Sequence, residues 1–177
     1  MRLSIHDVCS IGIFVAIIAV CAQIAIPTGG VPFTLQVWAI ALAGLILGPK
    51  RGTIAASIYV ALGAIGIPVF AGFTSGIGII LGMTGGFIFS FPILAFFSGI
   101  GGKKDNILWA MGGITVGTVI NFACGMLYFS WFTSLSLTVS FGAAVTPFIL
   151  PAVVKIIILP VISKNIKLSL RKARVAV

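Results

Sequence analysis

The chain has 177 residues, 60% of them hydrophobic and 7% charged, with a mean hydropathy of +1.29. A soluble domain carries roughly 25% charged residues, so polar side chains cannot wet this surface, and a soluble domain, a disordered chain and a nucleic-acid binder are excluded. The net charge of +9, from eleven Lys/Arg against two Asp/Glu, reads instead as the cytoplasmic face of a membrane protein. The carboxylates Asp7 and Asp105 and the single His6 leave no acid–base set. Cys9, Cys21 and Cys124 have no metal-ligand spacing, and no G-x-x-x-x-G-K-[ST] loop occurs. An enzyme, a metal site and a resident cofactor are therefore not expected.

A spanning helix needs about 20 mostly apolar residues. In chain order the uncharged runs predict helices over 8–26, 36–48, 53–67, 84–100, 107–131 and 148–163. The second and third are short for full spans. The run after Arg2 is not read as a signal peptide, because five further apolar segments follow it. Basic residues fall at Arg2, at Lys50 and Arg51, at Lys103 and Lys104, and in the tail from Lys164 to Arg174. With six helices all of these lie on one side, while the connections 27–35, 68–83 and 132–147 carry no charge. Excess Lys/Arg marks the cytoplasm. The expectation is one all-α transmembrane domain over 1–177, with six helices and both termini cytoplasmic, in the cell membrane. The basic tail reads as a topology anchor, the alternative being that it binds anionic lipid headgroups.

Lys155 is the one ionisable residue well inside a predicted helix. A Lys at a helix centre costs about 2.5–3.5 kcal/mol on insertion scales, and no carboxylate in the sequence is placed to neutralise it. The expectation is that it faces a cavity and receives a carboxylate from a ligand. The uncharged connections PTGGVPFTLQ (27–36), IPVFAGFTSGIG (67–78) and GMTGGF (82–87) are rich in Gly, Pro, Thr and Ser. Irregular backbone survives at membrane depth only when it is buried or lines a cavity. Phe33, Trp38, Phe70 and Phe73 are candidates for an apolar wall, with Gln36, Thr74, Ser75, Thr84, Gly85 and Gly86 as polar or close-approach positions. Gly113, Gly117, Asn121 and Gly125, spaced by four, predict close helix packing, with Asn121 bonding either a neighbouring helix or the ligand. Gly12 and Ala16 form a small-residue pair on the first helix, suited to packing inside the chain or against another membrane subunit.

The segments VPFTLQ (31–36), LAGLILGPKRG (42–52), Tyr59 followed by LGAIGIPVFAG (62–72), the TGG of GMTGGF, GMLYFSW (125–131) and PFILPAVVK (147–155), taken in order, resemble the BioY family. These are biotin-specific S components of energy-coupling-factor vitamin importers. The resemblance covers almost the whole chain. It implies a six-helix bundle, a site near the outer face and no ATPase activity of its own. It implies as partners a transmembrane coupling subunit and two cytoplasmic ATPases that use the ATP. It also makes Gly12 and Ala16 the coupling-subunit contact. Two positions depart from the family pattern. Met83 stands where the family has Pro before TGG, and Ala152 stands where the helix 6 motif has the Asp that contacts substrate, although Lys155 is retained. No basic residue lies between Arg51 and Lys103, so a further cationic group from helix 4 is missing. Biotin's ureido N–H donors would then turn to Asn121, Gln36 or backbone carbonyls. Lipoate, an apolar ring with a carboxylate tail, is the alternative vitamin on the same scaffold. A self-sufficient carrier or channel is the alternative class.

Overall fold

In the computed structural model, residues 4–26, 31–104 and 106–172 are described. Asp105, the PTGG of the first connection, Arg2 and the last five residues of the basic tail, with Arg174, lie outside them. The first helix, α1 (Ile5–Gln23), starts earlier than the apolar run suggests, because Ser4 and Asp7 form a reciprocal capping box. The chain then makes a short antiparallel pair, β1 (Ala25–Ile26) with β2 (Phe33–Thr34), in which Ala25 faces Thr34 and Ile26 faces Phe33.

The expected second and third helices are two arms of α2 (Gln36–Ala64), separated by a break at Gly48. Gly48 has φ 80° and ψ 175°, a combination that is essentially restricted to glycine. Pro49 follows at the start of the second arm, where its missing N–H is no loss. The arms fold back so tightly that a Cβ on Gly52 would lie 2.7 Å from Gly44 Cα, eight residues earlier.

A 3-10 turn over Ala71–Phe73 leads to α3 (Ile77–Ile80) and α4 (Gly85–Phe89). The helix expected over 84–100 is therefore interrupted. It resumes after Ser90 as α5 (Phe91–Gly102), with Pro92 in its first turn. Pro92 offers no N–H to the Ile88 carbonyl, and the Ser90 hydroxyl bonds to the Gly86 and Phe87 carbonyls at 2.9 and 3.0 Å. Next come α6 (Ile107–Thr133), α7 (Leu137–Ala144) and α8 (Thr146–Lys172). The connection 132–147 thus holds a helix, α7, where the uncharged run predicts none. The basic tail is helical through Lys172, nine residues past the expected end at 163.

Among the described residues four helices are long and apolar enough to cross a membrane, α1, α2, α6 and α8 through Leu170, with α5 a shorter apolar one. The glycines of α6 seat α5 and α4 against it. A Cβ at Gly113 would meet Gly101, one at Gly117 would meet Leu94, and one at Gly125 would strike the Phe87 ring. This is the close packing expected of that stripe. The bundle has two distinct ends. At the basic end Arg51 Nη1 pairs with Asp7 Oδ1 at 2.7 Å, and Lys167 Nζ donates to the Gly102 carbonyl at 2.6 Å. At the other end lie the β-pair, the 3-10 turn and α7. Here the Phe70 ring fills the space left by Gly63.

Candidate functional site

A cavity of about 300 Å³ opens beneath the β-pair end of the bundle. It lies in the volume range of small-molecule sites. Its walls come from the segment containing β2, the first turn of α2, the 3-10 turn, α4, α6 and the start of α8.

On α8, Phe148, Pro151, Ala152 and Lys155 all line the cavity. They follow the i, i+3, i+4, i+7 spacing that puts side chains on one face of a helix. Lys155 is 2% exposed and sits about 13 Å along the helix from its start. Among the described residues no hydrogen bond or ion pair engages its ammonium, and the one ion pair joins Arg51 to Asp7. Asp7 is thereby occupied, on the far side of the bundle. The cavity therefore ends on an unpaired cation in a mostly apolar wall, an arrangement that favours an anionic ligand group.

Asn121 is 1% exposed. Its Nδ2 donates to the Phe87 carbonyl at 3.0 Å and to Ser90 Oγ at 2.7 Å. Both bonds tie α6 to the break between α4 and α5. The Phe87 carbonyl can only accept, so the amide orientation is fixed. What Asn121 has left for a ligand is its carbonyl oxygen, an acceptor. The sequence left open whether this residue serves a neighbouring helix or a ligand. The structure shows the helix contact and leaves the acceptor at the cavity wall. Gln36, buried in the first turn of α2, adds a second amide to the wall.

The aromatic lining consists of Phe33, Trp38, Phe70, Phe87, Phe91, Phe122 and Phe148. Phe33 and Phe148 stack with ring centroids 6.5 Å apart. Thr74, Thr84, Met83 and Ala152 also face the cavity. The small side chain of Ala152 adds apolar surface beside Lys155.

Four of the expected positions do not line the wall. Phe73 points away and is 71% exposed. Its backbone sits at φ 57°, which turns the side chain out of the 3-10 turn. Ser75 lies beyond the turn that closes on Thr74. Gly85 and Gly86 face packing partners, because a Cβ on Gly86 would strike the Cys124 carbonyl and Tyr128, and one on Gly85 would strike the Ile80 carbonyl. Conversely, Phe87, Phe91, Phe122, Phe148 and Pro151 line the wall without being among the expected positions. The α8 members were legible as the residues seven and four before Lys155. Phe87 and Phe91 flank the break at Ser90, and Phe122 is the neighbour of Asn121 on α6.

On α1, Gly12 and Ala16 are exposed, and nothing lies within 4 Å of a Cβ built on Gly12. They are not part of the packing inside the chain.

The BioY family model matches residues 1–172. A probable biotin transporter of Pyrococcus horikoshii is 45% identical over 84% of this chain and 88% of its own length. A biotin transporter of Thermotoga maritima is 37% identical over 88% of this chain and 92% of its own. The relatives are named as transporters, and none of these names describes an enzyme. Among solved structures, the S-component for biotin from an ECF-type ABC transporter superposes with a TM-score of 0.85 at 25% identity, covering 94% of this chain and 95% of that one. Family match, relatives and apolar helices together make this a multi-pass protein of the cell membrane. The chain belongs to the BioY family.

Proposed function

We propose that the chain is the substrate-binding S component of an energy-coupling-factor importer and that its substrate is biotin. The observation that carries this reading is Lys155, buried and unpaired where α8 meets an aromatic-lined cavity, in a chain whose relatives are named biotin transporters. Lys155 neutralises the valerate carboxylate. Phe33, Trp38 and Phe148 hold the apolar rings, and the carbonyl oxygens of Asn121 and Gln36 accept from the ureido N–H groups. Thr34, Thr74 and Thr84 complete the polar lining.

Asn121 takes over the acceptor task that the family's Asp performs at position 152. A carboxylate three residues before Lys155 on α8 would compete with the ligand for the ammonium. With Ala152 in that place, the cation is left to the substrate alone.

Six passes and cytoplasmic termini are part of the same reading. The two arms of α2 count as separate passes, α3 to α5 form another, and the basic residues collect at one end. Gly12 and Ala16 on the exposed face of α1 receive a transmembrane coupling subunit, and two ATPases on the cytoplasmic side of that subunit supply the energy.

The test is calorimetric titration of the detergent-solubilised chain with biotin, with biotinamide and lipoate as controls. Biotin binds, biotinamide binds far more weakly because it offers Lys155 no charge, and lipoate lacks the ureido donors. Lys155→Met lowers biotin affinity by about 100-fold or more, the loss of a charge-assisted contact worth about 3 kcal/mol. The thermal midpoint of the ligand-free variant stays level or rises, because an unpaired buried charge has been replaced by an apolar chain of similar length. Equal affinity of wild type and Lys155→Met for biotin would refute the assignment.

A further inference from the structure

Gln23 is the last residue of α1 and does not line the cavity. Its side chain nevertheless makes a dense set of bonds to the wall. Nε2 donates to the Ala19 carbonyl on its own helix at 3.0 Å, and to the Val69 and Phe70 carbonyls at 3.3 and 3.1 Å. Oε1 accepts from the Phe73 backbone N–H at 2.8 Å. A single amide thus grips the segment 69–73 from both sides. That segment supplies Phe70 and Ala71 to the cavity.

Two further features point to a held conformation. Phe73 is one of two non-glycine residues with positive φ among the described residues, a region that bulky side chains avoid. Its ring is exposed, so packing of that ring does not account for the backbone shape. The bond from its N–H to Gln23 is the one made by that residue itself, within a turn also closed by the Phe70 N–H on the Thr74 carbonyl at 3.0 Å and by the Thr74 hydroxyl on the Ala71 carbonyl at 2.9 Å. On the inner side, Tyr59 Oη donates to the same Val69 carbonyl at 3.0 Å, and the Tyr59 and Phe70 rings meet edge to face at 5.6 Å.

We propose that Gln23 is a positioning residue. It fixes the 69–74 wall of the site onto the end of α1 by holding Phe73 in its left-handed conformation, so that α1 and the cavity wall move as one unit. The inference rests on the reading of the cavity as a biotin site, and it adds a route between that site and the helix whose exposed face is assigned to the coupling subunit. A displacement of α1 reaches Phe70 and Ala71 through one side chain. Ligand seated against Phe70 in turn restrains the end of α1.

The test compares wild type, Gln23→Ala, Phe73→Gly and the double variant, all full-length in detergent. Two readouts are taken: the release rate of bound biotin in a chase with unlabelled biotin, and hydrogen–deuterium exchange of peptides covering 69–76 in the ligand-free protein. Gln23→Ala speeds biotin release about tenfold, the scale of a lost set of hydrogen bonds, and raises exchange in that segment alone. Phe73→Gly by itself stays near wild type, because glycine adopts positive φ without support. Added to Gln23→Ala, it restores most of the lost retention. A merely structural role for Gln23 gives no such rescue. Should Gln23→Ala fail to fold, Phe73→Pro serves in its place. Proline forbids the left-handed conformation and removes the N–H that Gln23 accepts, at an exposed position, and the same faster release is expected. A wild-type release rate and exchange pattern in Gln23→Ala or Phe73→Pro, or a double variant no better than Gln23→Ala, overturns the proposal. If the wild-type chain takes up no biotin, the reading of the site fails, and the exchange comparison still decides whether Gln23 holds the wall.

Discussion

Asn121 divides its groups between the fold, which takes its donors, and the cavity it lines, where the proposed site uses its oxygen. Its two N–H donors are both engaged inside the bundle, at the Phe87 carbonyl and Ser90 Oγ, so any ligand meets only the oxygen. Substituting Leu removes both functions at once. The Phe87 carbonyl is left without its inter-helix donor, and the expected loss of stability is about 1–3 kcal/mol. Biotin affinity falls as well, because a ureido N–H loses its acceptor. Thermal unfolding and titration of Asn121→Leu in detergent check both outcomes, and a variant that binds as tightly as wild type removes Asn121 from the site. Lys155 behaves in the opposite way. Among the described residues it makes no bond to the fold, so its replacement is expected to affect binding without weakening the protein. The two residues stand on facing helices and line one cavity, yet their variants are expected to separate binding from stability.

At the scale of elements, α2 is governed by its break. Gly48 adopts a backbone conformation closed to other residues, and the arms meet across it so closely that a side chain at Gly52 has no room against Gly44. Gly44 is also pressed against Ala95 of α5. Gly48→Ala is therefore expected to destabilise the protein by about 1–3 kcal/mol, the scale of a strained backbone residue, even though nothing lies within 4 Å of the Cβ it adds. A thermal midpoint equal to that of wild type would mean that the chain can turn here by another route. The cavity depends on this turn indirectly. The first arm carries Gln36 and Trp38 into the wall, and the second carries Tyr59 to the carbonyl of Val69. The break between α4 and α5 has a similar role, since it frees the Ser90 hydroxyl and the Phe87 carbonyl to meet Asn121.

For the molecule as a whole, the basic residues and the mouth of the cavity sit at opposite ends. Lys50, Arg51, Lys103, Lys104, Lys164 and Lys167 gather where α1 begins, α2 turns and α5 ends. The cavity opens toward the uncharged end, which holds the β-pair and the 3-10 turn. If the basic end is cytoplasmic, the cavity of the proposed site opens to the outside. Single cysteines at positions 103 and 134, in a background with the three native cysteines replaced, test this with a membrane-impermeant maleimide. Position 103 is expected to react only when the cytoplasmic side is open to the reagent, and position 134 only from the outside. Labelling of both from the same side contradicts six passes with both termini inside.

The sequence by itself determined the solvent, the gathering of the basic residues at one end and the presence of a lone lysine inside an apolar helix. Transfer from water to lipid is close to a sum over local composition, so apolar runs, basic punctuation and a lone Lys155 can be read one segment at a time. The resemblance to the BioY family, carried by short motifs in order, was legible for the same reason. The tertiary structure alone decided which residues share the cavity. It set the fold-back at Gly48, the break at Ser90 and the helix α7 within an uncharged connection. It turned Phe73, Ser75, Gly85 and Gly86 away from a wall they were expected to line. It brought Gln23, unremarkable in sequence, onto carbonyls 46 and 47 residues along the chain. Those outcomes depend on which surfaces fit against each other after the chain has folded, and no local sum of propensities contains that fit.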